Sequence, residues 1–357
     1  MNATETPLGV MTARFPQTAL WNDSADPEQL SQAVSWGAVG ATCNPVIALT
    51  AMKADPTYWR CRISEIALQH PAWSESEIGW QAVAELSATS AELLRPAFQA
   101  SNGRNGRLSI QVDPRHYRDA EAMTRQAVEF SQLAPNIIVK IPAIETGLAA
   151  IEEATRLGVS VNATVSFTVS QAVAVAEAIE RGLVRRETAG DPVDQMGPVC
   201  TIMGGRLEDW IKLRALEARK LLPPGYLEWS GTAVVKRAYE IYQERSWRTR
   251  LLSAAFRNEL LLTEVVGGDL VVSPPFEWLQ LVNGNYVELP ARMDVPVDRA
   301  IIERLYDVPD FAKAFDPDGL QPEEFLDFGL TRRTLRQFLG ATADIESFVR
   351  DVILPAP

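Results

Sequence analysis

Short apolar segments alternate with helix-length segments along most of this chain, and this order constrains the fold more than any other feature. Eight segments have the length and composition of buried strands, and each is followed by residues that suit a helix. Parallel neighbouring strands need such a crossover, so the order predicts an α/β protein with a parallel sheet. Eight β-then-α units predict a (β/α)8 TIM barrel, with functional side chains at the carboxyl ends of the strands. The expected strands are residues 18–23, 38–44, 108–113, 137–141, 159–165, 198–203, 250–255 and 269–273.

A doubly wound open sheet is the alternative architecture. That fold normally carries a glycine-rich phosphate-binding turn after its first strand, and no such turn follows residues 18–23. We therefore favour the barrel and assign residues 1–290 to it as the catalytic domain. The alternation stops near Pro296, so we expect residues 291–357 to form a helical C-terminal extension packed on the barrel. We expect this extension to be a structural cap or an oligomer contact, and we assign it no chemistry.

Extra helices should decorate the barrel. We expect a long, interrupted helical stretch over residues 45–100, between the second and third strands. Residues 185–197 are rich in charge, glycine and proline and predict an exposed insertion. In the extension, the pattern predicts helices over residues 299–306, 322–328 and 331–352.

Composition excludes several classes of function. The net charge of −12 argues against nucleic acid as a partner, although one or two arginines suffice for a small phosphorylated substrate. Cys43, Cys61 and Cys200 have no metal-ligand spacing, and an odd number of cysteines argues against a disulfide framework. With His70 and His116 as the only histidines, a histidine-based metal cluster is not expected. The N-terminus has no apolar signal region and no segment suits a bilayer, so we expect a cytoplasmic protein without membrane contact.

Lys140 is the strongest candidate for chemistry. The chain contains six lysines against twenty-eight arginines, and this one lies in the apolar strand at residues 137–141. Burial disfavours the charged ammonium and lowers its pKa, and a neutral amine is the nucleophile that attacks a ketone to form a Schiff base. The alternative is a lysine near a strand end whose ammonium reaches solvent.

Polar side chains follow most of the other predicted strands, and in a barrel they would surround Lys140. Singly, each has an ordinary explanation as a helix cap, a turn residue or a strand-favouring threonine. Together they would gather a carboxylate and several amides around one amine, which suits cleavage of a carbon–carbon bond in a polyhydroxylated ketone. Two arginines after the sixth and seventh strands could hold a substrate phosphate. The set comprises Asp23, Thr42, Asn44, Gln111, Asn162, Thr164, Thr201 and Ser273, with Arg206 and Arg257.

Several motifs, in the correct order, resemble those of the transaldolase family. The Thr-Cys-Asn-Pro sequence at residues 42–45 is similar to the threonine-any-asparagine-proline motif of that family. The strand around Lys140 resembles the family's Schiff-base strand, and the segments that flank it also match. The matching segments are residues 40–45, 106–115, 139–143, 145–150, 161–167 and 170–172.

The resemblance implies a class I mechanism, without metal or other cofactor, in which Lys140 forms an imine with a ketose phosphate. A dihydroxyacetone unit would then be transferred to an aldose acceptor, as in the pentose phosphate pathway. Asp23 would be the general acid and base. The resemblance also implies that four residues contact the substrate hydroxyls and the imine in the pocket: Thr42, Asn44, Asn162 and Thr201. Thr164 would position a water, and Arg206 and Arg257 would bind the phosphate. Sugar phosphates are thus the expected partners, and a homodimer is compatible with the resemblance.

Three departures from the family pattern leave the reaction open. Gln111 stands where transaldolases have a catalytic glutamate, and an amide can hold a water but cannot exchange its proton. The related fructose 6-phosphate aldolases also have glutamine here, together with a tyrosine that the matching motifs of this chain lack. Met203 replaces an aromatic residue, and Ala255 replaces a serine beside Arg257. The alternatives are therefore an aldolase that releases free dihydroxyacetone, a catalytically weakened barrel that binds sugar phosphates, or an enzyme for another anionic head group.

Overall fold

A ring of eight parallel strands forms the centre of the computed structural model, which describes residues 6–285 and 287–355. Each strand pairs with its sequence neighbour from β2 to β8, and β8 pairs with β1. Backbone hydrogen bonds of Asn22 to Gly40 (2.9 Å) and Thr42 (3.0 Å) join β1 to β2. The predicted (β/α)8 barrel is therefore confirmed. The strands are β1 (Thr18–Leu20), β2 (Gly40–Thr42), β3 (Arg107–Gln111), β4 (Ile137–Pro142), β5 (Val161–Ser166), β6 (Val199–Ile202), β7 (Arg250–Ala254) and β8 (Leu270–Ser273).

Helices surround this ring and account for most of the rest of the chain. Several begin with an asparagine, aspartate, serine or threonine whose side chain accepts a backbone N–H of the first turn, which is how helix N-termini are commonly satisfied. They are α1 (Pro7–Arg14), α2 (Pro27–Ser35), α3 (Pro45–Ala54), α4 (Pro56–Gln69), α5 (Glu75–Ala100), α6 (Ala120–Ser131), α7 (Glu145–Arg156), α8 (Val169–Thr188), α9 (Gly204–Glu217), α10 (Trp229–Glu244), α11 (Leu260–Thr263), α12 (Phe276–Gly284), α13 (Arg299–Leu305), α14 (Pro309–Phe315) and α15 (Gly329–Ile353).

The exposed insertion begins later than the sequence predicts. Residues 185–188 belong to α8, and only the segment that follows is irregular. Arg185 explains the difference, because its guanidinium bonds to Glu152 (2.9 Å) and Glu153 (3.2 Å) on α7. These cross-helix ion pairs hold the last turn of α8 against its neighbour. Helices α1 and α14 are also present although the pattern did not indicate them, and the helix predicted over residues 322–328 is only a 3₁₀ turn at Pro322–Glu324.

Alternation of side chains along the strands separates the barrel interior from its outer layer. Inward-pointing residues such as Trp21, Ile138 and Leu252 pack together inside the ring, while the other strand face packs against helices. Gly40 makes room for the largest of them, since a Cβ there would lie 2.4 Å from the Trp21 indole. Side chains therefore fill the interior of the barrel around Trp21.

Helix α15 crosses from the side of the barrel to its mouth. It packs against α3, α4 and α5 and also contacts β5 and α9. Its buried residues recur every three or four positions, the spacing of one helix face. Ion pairs of Arg350 with Glu75 (2.6 Å) and of Arg115 with Glu346 (2.6 Å) fasten its C-terminal half. Among the described residues, no helix has both the length and the apolar character needed to cross a membrane.

Candidate active site

A cavity of about 140 Å³ opens at the carboxyl ends of the barrel strands. A wider cleft of about 690 Å³ lies beside Trp59 among the outer helices, but the strand-end side chains point into the smaller cavity. Eight of the eleven residues predicted for the site line it, so the structure brings them together from six of the strands and the segments that follow them. They are Asp23, Thr42, Asn44, Lys140, Thr164, Thr201, Arg206 and Arg257.

Lys140 lies inside the barrel and reaches the cavity floor. Its side chain points inward in register with Gln111 on β3 and Asn162 on β5. The residue is 5% exposed, and its ammonium has no hydrogen-bond partner within residues 6–285 and 287–355. Burial lowers the pKa of Lys140, the charge of Asp23 partly opposes this shift, and Arg206 reinforces it. A buried amine without a partner and with a lowered pKa is suited to nucleophilic attack.

Asp23 supplies the carboxylate of the cavity. It follows β1, where its backbone N–H donates to the Pro274 carbonyl (3.0 Å) after β8. The Thr42 hydroxyl donates a hydrogen bond to Oδ1 of Asp23. Oδ2 has no partner in the described part of the chain. One oxygen is thus held in place by the protein, and the other is available to a ligand.

Asn44 both caps a helix and lines the cavity. Its Oδ1 accepts the backbone N–H groups of Val46 (2.9 Å) and Ile47 (3.1 Å) at the start of α3. Asn44 therefore has an ordinary structural role, as a helix cap and not as the turn residue that an asparagine before proline predicts. Because the carbonyl oxygen is used by the helix, the amide nitrogen Nδ2 is the group left for a ligand, and it can only donate.

Asn162, Gln111 and Ser273 do not line the cavity. Asn162 is fully buried, donates to the Ser109 hydroxyl (3.1 Å) and accepts from the Thr201 hydroxyl (2.7 Å). These bonds orient Thr201, which does face the cavity. Gln111 is also buried, and its Oε1 has no hydrogen-bond partner among the described residues. A buried amide oxygen of this kind is a natural acceptor for an ordered water.

The two arginines meet at the outer rim of the cavity. The Arg257 guanidinium bonds to Asp209 of α9 (2.8 Å) and to the Phe256 carbonyl (2.9 Å). Arg206, in the first turn of α9, is half-buried, and burial and the nearby Arg257 lower its pKa. The two segments that carry these arginines can approach each other because Gly205 has no side chain. A Cβ there would lie 1.7 Å from the Ala255 carbonyl oxygen.

Sequence reasoning missed the contribution of α15. Phe338 lines the cavity, and the Arg206 guanidinium lies over its ring, 5.6 Å from the centroid. The neighbouring Gln337 accepts a hydrogen bond from Arg206. Met203 completes the apolar part of the wall. The available signal was the helical periodicity of residues 331–352, which indicated a buried face but not what it faces.

Comparison with known proteins places this geometry in a family. The family described as Transaldolase/Fructose-6-phosphate aldolase matches residues 20–321. Transaldolase 1 of Streptomyces avermitilis is 33% identical over 208 residues, which are 58% of this chain and 54% of the relative. Transaldolase 1 of Streptomyces coelicolor is 29% identical over 302 residues, 75% of this chain and 76% of the relative. The chain therefore spans about half the length of the first relative and about three quarters of the second.

Proposed function

Because the chain belongs to the transaldolase/fructose-6-phosphate aldolase family, we propose that it is a class I transferase. It moves a dihydroxyacetone unit from a ketose phosphate to an aldose acceptor through a Schiff base on Lys140. One observation carries this proposal: a buried lysine with no hydrogen-bond partner in the described chain faces a polar cavity that also contains Asp23. A protein that only binds sugars has no use for a buried amine without a hydrogen-bond partner, because burial of such a group is costly to folding.

The reaction begins when the neutral amine of Lys140 attacks the C2 carbonyl of the ketose. The carbinolamine loses water to give an imine. Asp23 then takes the C4 hydroxyl proton, the C3–C4 bond breaks, and its electrons move to the imine nitrogen as an enamine forms. The shortened aldose leaves, and the enamine carbon attacks the aldehyde of the acceptor. Hydrolysis of the resulting imine returns the free lysine.

The surrounding residues support this sequence of steps. Nδ2 of Asn44 and the Thr201 hydroxyl are placed to contact substrate hydroxyls, and Arg206 and Arg257 would hold the phosphate. Burial lowers the pKa of Lys140 below its ordinary 10.5 and so favours the neutral amine, which the first step requires. Thr164 and the Oε1 of Gln111 would position the water that imine formation releases and imine hydrolysis consumes.

An aldolase that releases free dihydroxyacetone is the second candidate, and Gln111 is the observation that favours it. A glutamine cannot relay a proton, so a water bound to Gln111 would lack the proton exchange that a glutamate at this position would provide. The two reactions share every step up to the enamine. They differ in whether the enamine attacks an aldehyde or is protonated at carbon and released.

Borohydride trapping tests the proposal. Incubation with fructose 6-phosphate and borohydride should leave a reduced three-carbon adduct on Lys140, located by peptide mass spectrometry. Lys236 is an internal control, because it is also buried but donates to the carbonyls of Arg292 (2.9 Å) and Val295 (2.5 Å) and should stay unlabelled.

Addition of an aldose phosphate acceptor before the reductant distinguishes the two candidates. A transferase loses the adduct in proportion to new ketose phosphate formed, whereas an aldolase accumulates free dihydroxyacetone without an acceptor. No adduct with any ketose phosphate, in a folded protein, would contradict both and support a binding barrel instead.

A further inference from the structure

Gln171 is a fully buried amide to which the proposed reaction gives no role, although it lies in one of the segments that resemble the family. It belongs to the first turn of α8, and its side chain bonds to the segments that end β4 and β5. Nε2 donates to the carbonyls of Ala143 (2.8 Å) and Val165 (3.1 Å). Oε1 accepts the backbone N–H of Phe167 (2.9 Å) and the Thr168 hydroxyl (3.3 Å). Both N–H donors and both acceptor positions of this amide are therefore used.

Val165 has the unusual backbone in this group. Its φ is 54°, in the left-handed region, which β-branched residues rarely adopt because of steric strain. Between two successive pairings with β6, at Ala163 and at Ser166, β5 advances three residues while β6 advances two. Val165 thus lies in a β-bulge, a feature that re-aims side chains where it occurs beside active sites.

The bulge directly follows Thr164, which lines the cavity and whose hydroxyl has no hydrogen-bond partner in the described part of the chain. The Thr164 carbonyl accepts the backbone N–H of Ala143 (2.7 Å), three residues beyond Lys140. Gln171 bonds to the carbonyl of the same Ala143, so its amide fastens the end of β4 to the bulge at the end of β5. The direction of the Thr164 hydroxyl relative to Lys140 therefore depends on the bulge.

We propose that Gln171 is a positioning residue: it holds Val165 in its left-handed conformation, and the bulge aims the Thr164 hydroxyl at the water of imine formation and hydrolysis. This inference rests on the proposed function, because it concerns the same site. Gln171 itself does not line the cavity. The rim arginines lie on α9 and after β7, whereas Gln171 is bonded to the ends of β4 and β5. Loss of Gln171 should therefore lower kcat and leave KM nearly unchanged.

The test compares Gln171→Met with Asn136→Leu as the matched control. Each change replaces a fully buried amide with an apolar side chain of similar length. Like Gln171, Asn136 donates to two backbone carbonyls, those of Ala91 (2.8 Å) and Gly106 (2.8 Å). It precedes β4, at the end of the barrel away from the cavity, so Asn136→Leu should lower stability and keep kcat.

The assay is steady-state transfer from fructose 6-phosphate to an aldose phosphate acceptor. A displacement of about 1 Å near the reacting groups can cost about 10²-fold in rate, and we expect a fall in kcat of about that size for Gln171→Met. The same kcat for Gln171→Met and Asn136→Leu would overturn the proposal.

Val165→Gly tests whether Gln171 acts through the bulge. Glycine adopts a left-handed φ without strain, so in this background the bulge no longer depends on the glutamine. Addition of Gln171→Met to Val165→Gly should therefore lower kcat much less than it does in the wild type. An equal fall in both backgrounds would mean that the two residues are not coupled, which contradicts the proposal.

Gln171→Glu is the conservative variant, and it replaces Gln171→Met in these comparisons if that variant does not fold. Burial favours a neutral carboxyl, which still accepts a hydrogen bond and donates to one of the two carbonyls. We expect kcat about three- to tenfold below that of the wild type, as for the loss of one hydrogen bond. An unchanged kcat would count against the proposal.

Crystal structures of the wild type and the Gln171 variant separate this inference from the proposed function. The φ of Val165 should be positive in the wild type and negative in Gln171→Met. A φ that stays positive in Gln171→Met would overturn the role of Gln171, whatever the activity. If the wild type forms no adduct and transfers nothing, the proposed function fails, and the φ of Val165 still decides whether Gln171 holds the bulge.

Discussion

Replacement of Gly205 by Ala tests whether the rim of the cavity depends on close contact between two loops. The Cβ of an alanine would lie 1.7 Å from the Ala255 carbonyl oxygen, and real contacts of this kind are not closer than 3.0 Å. The two segments must therefore separate by about 1.3 Å. Neither can yield easily, because the obstacle is backbone and Ala255 already has a left-handed φ of 63°. The segment that moves carries Arg257, whose guanidinium also bonds to the Ala255 carbonyl (3.3 Å).

Two effects should follow from this displacement. Overpacking against buried backbone costs about 1–3 kcal/mol, and added strain at Ala255 about 1 kcal/mol more. The reduced entropy of the unfolded chain offsets about 0.4–1 kcal/mol, so we expect a net loss of about 1–3.6 kcal/mol. Displacement of Arg257 from the phosphate should cost about 1.5–3 kcal/mol of binding, which corresponds to about a 10- to 100-fold higher KM for a phosphorylated ketose.

Gly204→Ala is the matched control for this experiment. There a Cβ would lie 2.5 Å from Cδ2 of Leu261, a terminal side-chain atom that can shift at small cost. Urea unfolding gives the stabilities, and steady-state kinetics with fructose 6-phosphate and with dihydroxyacetone give the KM values. We expect Gly204→Ala to lose about 1 kcal/mol or less and to keep both KM values. The reasoning fails if the two variants are equally stable, or if Gly205→Ala raises KM equally for both substrates.

Four further predictions concern the cavity. Lys140→Met should lower turnover by at least about 10⁴-fold, because no other group can form the imine. The same variant should unfold at a higher urea concentration than the wild type. Because the folded-state pKa of Lys140 lies below its ordinary 10.5, the free-energy penalty of burying the charged lysine is full below the folded-state pKa and vanishes above 10.5. An equal gain in stability at pH 6 and pH 11 would contradict this prediction. Trapping by the wild type should increase with pH, with a midpoint below 10.5, because the neutral amine is the reactive form; a midpoint at 10.5 would mean that burial has no effect. Asn44→Ala should lose about 1 kcal/mol of stability as well as activity, whereas Asp55→Ala, which removes the cap of α4 far from Lys140, should lose stability alone.

The barrel and the position of the site could be predicted from the order of residues. A strand buried on both faces must be apolar along its length, so a polar residue such as Lys140 is conspicuous within it. Because parallel strands end at the same side of the barrel, the residues at their carboxyl ends converge without any knowledge of coordinates. For this reason eight of the eleven predicted residues line one cavity.

The depth of each side chain was decided by the tertiary structure. Asn162 and Lys140 are directly paired in register, yet Lys140 reaches the cavity and Asn162 bonds to Ser109 and Thr201 beneath it. Side-chain length and the neighbours on adjacent strands make that difference, and neither follows from alternation along one strand. Sequence patterns identify the inward face of a strand but not which inward residues remain accessible.

The sequence by itself determined that residues 331–352 form a helix with one buried face, since that depends on local periodicity. Only the tertiary structure decided that this face lies over Arg206. The contact between Arg206 and Gln337 joins residues 131 positions apart, and it depends on the path of the whole chain between them. A helix buries its apolar stripe wherever packing allows, so the polar residues beside that stripe acquire their partners only when the fold is complete.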